Sequence, residues 1–194
     1  MLSLLPMSIR ERKALFLDRD GVINVEQRYV YSRDHFNFRD GVFELCRVAQ
    51  ALGYLLLIVT NQSGIARGYY TEVDFLELTE WMIQKFAEQQ SQIARVYYCL
   101  FHPVHGIGRY KYDSPDRKPK PGMLLRARAD FNLDLSSSVL IGDQLSDIDA
   151  AQAAGVGTKI LLRSGSAETE IQGNHFYISD SRDKILSRFF SRPL

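Results

Sequence analysis

LFLDRDGVIN, residues 15–24, is the most informative stretch of the chain, because two acidic side chains and a glycine follow an apolar strand there. Asp18 follows the apolar run directly, and Asp20 comes two residues later. Like charges this close repel each other, and each costs free energy to remove from water. The pattern therefore predicts that a positive group lies beside the two carboxylates, or that one of them carries a proton.

Apolar runs alternate with amphipathic stretches along the rest of the chain. Six runs predict strands, at 13–18, 54–60, 95–101, 137–143, 157–162 and 175–179. Five amphipathic stretches predict helices, at 41–53, 71–90, 122–132, 146–155 and near 182–190. Thr71 and Asp74 have the spacing of a capping box. The alternation predicts an α/β fold, a Rossmann-like, doubly wound, mainly parallel sheet with helices on both faces.

Length and composition indicate a single domain, 1–194, with an N-terminal extension at 1–12. The net charge of +1 gives no electrostatic argument for a nucleic acid or membrane partner. Two cysteines are too few for a disulfide framework and are typical of a reducing compartment. The apolar start is broken by Pro6 and lacks a basic leader, and Met7 is an alternative start. We therefore expect a cytoplasmic monomer.

Polar residues follow the predicted strands at their carboxyl ends, where open parallel sheets bind ligands. Asp18 and Asp20 follow the first strand, Thr60 closes the second, and Asp143 closes the fourth. A basic loop supplies Lys118. Carboxylate oxygens that converge suit Mg²⁺, which prefers a few protein ligands together with water and phosphate oxygens. The sequence thus predicts a magnesium site that keeps Asp18 and Asp143 ionised.

The same residues predict phosphoryl-transfer chemistry. A carboxylate such as Asp18 can attack phosphorus and form an aspartyl phosphate that water later cleaves. Asp20 would act first as an acid and then as a base. Thr60 and Lys118 would hold the phosphoryl oxygens, because this chemistry depends mainly on positioning and charge compensation. Asp147 is predicted to fix a loop or Lys118 and not to bind the metal ion.

These residues resemble the haloacid dehalogenase-like phosphatases. DRDG (18–21) matches the first motif of that family, Thr60 the second, Lys118 the third and GDxxxD (142–147) the fourth. Longer stretches resemble the bacterial D,D-heptose 1,7-bisphosphate 7-phosphatases, with histidinol-phosphate phosphatases close by; they are FLDRDGVIN, VTNQSGIARG, RKPKPGML and IGDQLSDIDAA. The resemblance covers roughly residues 13–162.

The resemblance implies roles for individual residues. Asp18 would be the nucleophile and a Mg²⁺ ligand, Asp20 the proton donor and a ligand through its backbone carbonyl, and Asp143 the third protein ligand. Substrate contacts are implied for Glu26, Gln27, Arg28, Tyr29, Asn61, Gln62, Ser63, Arg117 and Gln144. Arg117 suits a second, non-reacting phosphate, because a guanidinium matches phosphate oxygens in bidentate fashion. Gln144 stands where relatives often have lysine, which is expected to affect anion binding or anomer preference.

The loop at 99–117 departs from the family. Many members hold zinc there with a Cys-x-His and a Cys-x-Cys pair, of which only Cys99 remains. The other three positions are occupied by Phe101, Ser114 and Asp116. We therefore expect no zinc and a loop held by the packing of Tyr110 and Tyr112. An improvised ligand set is the alternative, formed by Cys99, His102, His105 and Asp116.

The predicted function is a Mg²⁺-dependent phosphomonoesterase that removes the 7-phosphate of D-glycero-D-manno-heptose 1,7-bisphosphate. The segments after the first two strands are too short for a large cap domain, which predicts an open site. A histidinol-phosphate or other small sugar-phosphate phosphatase is an alternative with the same catalytic residues. A phospho-accepting signalling domain is another, but its aspartate would end the third strand, where this chain has Cys99 and Phe101. A catalytically dead sensor disagrees with the presence of Asp20 and Lys118.

Overall fold

The computed structural model describes residues 11–163, 169–171, 176–179 and 182–190. Its strands are β1 (Lys13–Leu17), β2 (Tyr54–Asn61), β3 (Ile93–Cys99), β4 (Val139–Gly142), β5 (Thr158–Leu162), β6 (Thr169–Ile171) and β7 (Phe176–Ser179). Its helices are α1 (Val42–Ala51), α2 (Ser63–Ala66), α3 (Glu72–Glu88), α4 (Gly122–Phe131), α5 (Leu145–Ala154) and α6 (Arg182–Phe189). The strands form one sheet in the order β3-β2-β1-β4-β5-β7-β6, and only β6 pairs antiparallel to its neighbour.

Strand β1 lies at the centre of the part of the sheet that positions the site. It pairs with β2 on one side and β4 on the other, both in parallel. The chain moves outward from β1 to β3 and then returns to β4, so the strand order reverses between β1 and β4. Ligands of open α/β sheets bind outside the carboxyl ends of the strands at such a reversal. Asp18 and Asp143, which follow these two strands, therefore flank the expected binding crevice.

Helices cover both faces of the sheet, which confirms the predicted Rossmann-like class. Leu15 and Leu17 of β1 belong to a core on one face that also contains residues of α1, α3 and α6. Ala14 and Phe16 belong to a second core on the other face, with residues of α4 and α5. Because successive side chains of a strand point to opposite faces, the apolar run Ala14–Leu17 of β1 is buried on both sides.

The helices agree with the sequence prediction to within a few residues at each end. The capping box at the start of α3 is present: the Thr71 hydroxyl accepts from the Asp74 N–H at 3.1 Å, and Asp74 accepts from the Thr71 N–H at 2.7 Å. No cap domain lies in the segments after β1 and β2, where the described chain forms only a turn of 3₁₀ helix at Arg33–His35 and the short α2. Across the described residues, no helix is long and apolar enough to cross a membrane.

Some element boundaries differ from the prediction. The third strand is Ile93–Cys99 and not 95–101, because Phe101 leaves the sheet and packs against the loop that follows. Strand β6 and helix α2 were not predicted, since three or four residues are too few to show a periodicity. Of the predicted extension 1–12, residues 1–10 lie outside the described part, and Arg12 pairs with Leu133.

Candidate active site

A cavity of about 450 Å³ opens at the carboxyl ends of β1, β2 and β4. Most of the predicted site residues line it: Asp18, Asp20, Glu26, Arg28, Tyr29, Thr60, Asn61, Gln62, Ser63, Lys118, Asp143 and Gln144. Asp147, which was predicted to fix a loop or Lys118, lines it as well, together with residues that were not predicted to form the site: Arg19, Gly64, Tyr69, Tyr70 and Ser146. The topology thus brings side chains from separate strand ends to one crevice, as expected for this sheet edge.

Asp18 lies against a buried lysine. The Lys118 ammonium lies 2.9 Å from Asp18 Oδ1, donates to the Val59 carbonyl at 3.0 Å and forms an ion pair with Asp147. Lys118 is 5% exposed and Asp147 is 1% exposed. The Asp18 carboxylate also accepts from the Arg19 N–H at 2.8 Å. Lys118 therefore compensates two buried carboxylates at once.

The site carries an excess of negative charge even with Lys118 in place. Burial raises the pKa of Asp18 to about 8; Lys118 opposes this shift, while Asp147, Asp20 and Asp143 add to it. Burial and then Asp147 also raise the pKa of Asp143. Burial alone would lower the pKa of Lys118, but the charges of Asp147 and Asp18 outweigh it and raise that pKa. A bound cation would relieve the repulsion among the carboxylates.

The residues present fit a hard divalent cation. Asp18, Asp143 and Asp147 each offer an oxygen, and these atoms lie within 4.8 Å of one another. Among the described residues, no other group of three or more His, Cys, Asp or Glu side chains lies this close. Asp147 pairs with Lys118, accepts from the Gln144 N–H at 3.0 Å and is 1% exposed, whereas Asp18 is 8% exposed and Asp143 is half-buried, so Asp18 and Asp143 are the more accessible ligands. Oxygen-only donors of this kind suit Mg²⁺.

A glycine makes the close approach of Asp143 possible. Gly21 has a φ of +82°, which L side chains rarely adopt. A Cβ at this position would lie 2.1 Å from Asp143 Oδ2. The glycine of the DRDG stretch is therefore required for the backbone after Asp20 to pass beside the second carboxylate.

Asp20 is held by three side chains. The Arg19 guanidinium donates to both of its oxygens from Nε at 3.2 Å and from Nη2 at 2.9 Å. Asn24 Nδ2 donates to Oδ1 at 3.1 Å, and Gln62 Nε2 donates to Oδ2 at 3.2 Å. The positive charges expected beside the two aspartates are thus Lys118 for Asp18 and Arg19 for Asp20. Arg19 was not predicted as a site residue, although it stands between the two acids in the sequence.

Thr60 is linked to a buried tyrosine through Gln62. Gln62 Nε2 donates to the Thr60 hydroxyl at 2.8 Å, and the Tyr70 hydroxyl donates to Gln62 Oε1 at 2.5 Å. Gln62 is 1% exposed and Tyr70 is 7% exposed. Tyr70 lies next to the predicted capping box, and no motif in the sequence pointed to it.

Two predicted substrate contacts do not line the cavity, namely Gln27 and Arg117. Arg117 Nη1 donates to the Phe101 carbonyl at 3.3 Å, and burial lowers the pKa of its guanidinium. Asn61 does line the cavity, but its side chain amide binds the backbone of Lys118. Asn61 therefore supports the loop that carries Lys118.

The loop at 99–117 is organised around Phe101. The Phe101 ring packs against Tyr110 and Tyr112, with ring centroids 6.3 and 5.5 Å apart. His102 Nδ1 accepts from the His105 N–H at 3.0 Å, and Asp116 forms an ion pair with Arg126 at 2.6 Å. The improvised ligand set is not assembled, because no three of its members bring their ligand atoms within 4.8 Å of one another; they are Cys99, His102, His105 and Asp116.

Comparisons with known proteins place the chain among phosphatases. Residues 116–183 match the HAD-hydrolase-like family model. The chain is 51% identical to the D-glycero-alpha-D-manno-heptose-1,7-bisphosphate 7-phosphatase of Burkholderia mallei, over 90% of this chain and 93% of that protein. It is 53% identical to the corresponding beta-anomer 7-phosphatase of Vibrio cholerae, over 82% and 86% of the two chains.

A solved structure agrees with these matches. The D,D-heptose 1,7-bisphosphate phosphatase of B. bronchiseptica, complexed with magnesium and phosphate, superposes with a TM-score of 0.70 at 27% identity. The match covers 77% of this chain and 80% of that chain. The fold and the sequence therefore point to the same group of enzymes.

Proposed function

This chain belongs to the haloacid dehalogenase-like family and is a phosphatase, and we propose that it removes the 7-phosphate of D-glycero-D-manno-heptose 1,7-bisphosphate. The proposal includes a requirement for Mg²⁺ and an aspartyl-phosphate intermediate. It is supported by the similarity to enzymes named for the alpha and the beta anomer of this substrate. The observation that carries it is the position of Asp18, which lies in the cavity within 2.9 Å of the Lys118 ammonium.

In the first step, an Asp18 oxygen attacks the phosphorus atom of the 7-phosphate. The bond from phosphorus to the sugar oxygen breaks, and that oxygen takes a proton from the Asp20 carboxyl. Lys118 and the Thr60 hydroxyl stabilise the negative charge on the transferring group. The arrangement supports this assignment, because Asp20 is oriented by Arg19, Asn24 and Gln62 beside the nucleophile.

In the second step, water attacks the phosphorus atom of the aspartyl phosphate. Asp20 now accepts a proton from that water, and the bond between phosphorus and the Asp18 oxygen breaks. Inorganic phosphate leaves and the Asp18 carboxylate is restored. Asp20 thus donates a proton in the first step and accepts one in the second. It must therefore remain in one position throughout the reaction.

Asp18, Asp143 and the Asp20 backbone carbonyl are the groups proposed to hold Mg²⁺. When bound, Mg²⁺ neutralises negative charge on carboxylate and phosphoryl oxygens. Burial, with the charge of Asp147 added to it, raises the pKa values of Asp18 and Asp143, and a bound cation would offset both effects. Asp147 is proposed to hold Lys118, because it is almost fully buried and paired with that ammonium.

The cavity wall is proposed to bind the sugar and the second phosphate. A volume of about 450 Å³ suits a small phosphorylated sugar. Two arginines are candidates for binding the second phosphate. They are Arg117, which the family resemblance implies, and Arg28, which lines the cavity. The remaining contacts would come from Glu26, Tyr29, Ser63 and Gln144.

We further propose that the enzyme acts in the cytoplasm as a monomer that needs no zinc, nucleic acid or membrane partner. Its two cysteines, Cys46 and Cys99, are free and buried. Sedimentation velocity would test the oligomeric state, and metal analysis of the purified protein would test for zinc. A dimer, or stoichiometric zinc, would overturn the respective part of this proposal.

The function is tested by phosphate release with Mg²⁺ across a substrate panel. The panel contains both anomers of heptose 1,7-bisphosphate, histidinol phosphate, fructose 1,6-bisphosphate and simple monophosphates, with Asp18→Asn as the control. Preference for one heptose anomer, lost in the variant, is the expected result. Best activity on histidinol phosphate would replace the proposed substrate. No turnover by a folded, Mg²⁺-bound protein would contradict the proposed reaction.

A further inference from the structure

Gln62 lies at the centre of a hydrogen-bonded unit that includes Tyr70, a residue to which the proposed reaction gives no role. Its amide accepts from the Tyr70 hydroxyl at 2.5 Å and donates to the Thr60 hydroxyl at 2.8 Å and to Asp20 Oδ2 at 3.2 Å. Its backbone N–H donates to the Cys99 carbonyl at 2.8 Å, which ties it to β3. Gln62 thus connects two of the catalytic side chains to a residue outside the reaction.

Resting on the proposed function, we propose that Gln62 and Tyr70 are positioning residues that aim Thr60 and Asp20 at the reacting phosphate. Gln62 is 1% exposed, so its amide has little surface left to offer a substrate. The Gln62 NH₂ group donates two hydrogen bonds inside the protein, and the amide oxygen accepts one. The unit therefore acts through Thr60 and Asp20 and not by contact with the sugar.

The direction of each bond follows from the chemistry of the partners. In the second step Asp20 is a carboxylate that can only accept, so the amide NH₂ of Gln62 must face it. The amide oxygen then faces Tyr70, which must donate. Burial raises the pKa of Tyr70, so its hydroxyl keeps the proton that this bond needs. The Asp20 carboxylate disfavours the flipped amide, whose oxygen would face it, and Tyr70 supplies the donor that the amide oxygen needs in the observed orientation.

The same amide determines what the Thr60 hydroxyl can do. A hydroxyl has one hydrogen to donate and lone pairs to accept. Because the Thr60 oxygen accepts from Gln62 Nε2, its own hydrogen is available for another acceptor. In the cavity, that acceptor is a phosphoryl oxygen of the substrate. Gln62 therefore prepares Thr60 as a donor before the substrate arrives, which avoids reorganisation during the reaction.

Packing holds Tyr70 in the required place. Its ring stacks on Tyr31, with centroids 5.3 Å apart and planes at 10°. Gly64 leaves room for the ring, since a Cβ there would lie 2.1 Å from Tyr70 Cε1. Tyr70 also belongs to a small core with Ile65 and Phe75. The hydroxyl is thus presented to Gln62 by a rigid support, as a preorganised site requires.

The inference is tested by measuring the activity of the Tyr70→Phe variant on substrates with a poor and with a good leaving group. This variant removes one hydroxyl and leaves a buried Gln62 oxygen without its donor, so we expect kcat on an alkyl or sugar phosphate to fall about 10-fold with KM unchanged. A p-nitrophenyl leaving group needs no proton, so its kcat/KM, which reports only the steps up to formation of the aspartyl phosphate, should fall by only about 2-fold to 3-fold. Gln62→Glu should lose more on both substrates, because its carboxylate repels Asp20.

Tyr31→Phe is the matched control, since its ring stacks on Tyr70 but the residue is 44% exposed. It should stay within about 2-fold of wild type on both substrates. Equal kcat for Tyr70→Phe and wild type, or a rise in KM alone, would overturn the inference. An equal loss of kcat/KM on both substrates would overturn the action on Asp20.

Asp20→Asn separates this inference from the proposed function. If Asp20→Asn loses far more activity on the alkyl phosphate than on p-nitrophenyl phosphate while Tyr70→Phe does not, only the positioning role is wrong. If the kcat/KM of Asp20→Asn falls no more on the alkyl phosphate than on p-nitrophenyl phosphate, Asp20 is not the proton donor and the proposed reaction itself is wrong. Thermal unfolding of each variant establishes that the folded protein is being compared.

Discussion

The Asn61 side chain exchanges two hydrogen bonds with the backbone of Lys118. Asn61 Nδ2 donates to the Lys118 carbonyl, and Asn61 Oδ1 accepts from the Lys118 N–H, both at 3.1 Å. The two residues are 57 positions apart in the chain. This pair joins the end of β2 to the loop that carries the buried lysine. The position of the Lys118 ammonium beside Asp18 therefore depends on an amide that was expected to contact the substrate.

Asn61→Ala should lower kcat about 10-fold and destabilise the protein by about 1–3 kcal/mol, because a partly buried pair of hydrogen bonds is lost. Steady-state kinetics and urea unfolding measure the two effects. Asn37→Ala, at an exposed position, is the matched control and should change neither. A rise in KM with unchanged kcat and stability would instead assign Asn61 to substrate binding.

Lys118→Met should abolish activity and destabilise the metal-free protein by about 3–5 kcal/mol, because Asp18 and Asp147 lose the cation between them. Phosphate release and denaturant unfolding in EDTA measure this. Lys120→Met is the control: its ion pair with Asp113 at 2.7 Å is largely exposed and should contribute only about 0–1 kcal/mol. Similar stability losses for both lysines would contradict the role given to Lys118.

The stability of the metal-free protein should fall as the pH rises from about 4 to about 8. The pKa of Asp18 is raised from 3.8 to about 8 in the folded state, so the folded protein holds a proton that the unfolded chain has lost. The stabilisation that this proton provides is complete below 3.8, the pKa of Asp18 in the unfolded chain. It is lost as the pH rises through about 8, the pKa of Asp18 in the folded protein. Urea unfolding in EDTA between pH 5 and pH 8.5 measures the slope, which should be flatter in Asp18→Asn. Equal slopes for both proteins would show that Asp18 titrates normally.

Mg²⁺ binding should release protons near pH 7. A carboxyl with a raised pKa must lose its proton to bind the ion, so metal affinity should increase as the pH rises toward 8. Calorimetric titrations in buffers of different ionisation enthalpy count the protons released per ion. The count should fall in Asp18→Asn, measured at a Mg²⁺ concentration that saturates the variant. Proton release that is unchanged by this substitution would assign it to another group.

Arg28→Gln should raise KM for a heptose bisphosphate by about 10-fold or more, because a guanidinium that faces phosphate contributes a charge-assisted pair. It should leave KM for the corresponding monophosphate nearly unchanged. We expect a smaller effect from Arg117→Gln, since Arg117 donates to the Phe101 carbonyl and lies outside the cavity wall. The reverse ranking would identify Arg117 as the clamp for the second phosphate.

The predicted alternation of strands and helices was right because β1 and β2 are apolar on both faces, a pattern typical of central parallel strands. The third strand was placed two residues too late, because the apolar run continues through Phe101 after the strand has ended. Phe101 is apolar for another reason: it packs against tyrosines of the following loop. Hydropathy alone does not distinguish these two uses of a buried aromatic side chain.

The periodicity of the chain was enough to establish the α/β class and to predict that Asp18, Thr60 and Asp143 meet at one edge of the sheet, because the carboxyl ends of parallel strands share an edge. The groups that support these residues became known from the three-dimensional structure. It placed Gln62 between Thr60, Tyr70 and Asp20, and it bound Asn61 to Lys118. These contacts depend on the directions of individual side chains across distant segments, which neither periodicity nor residue type encodes.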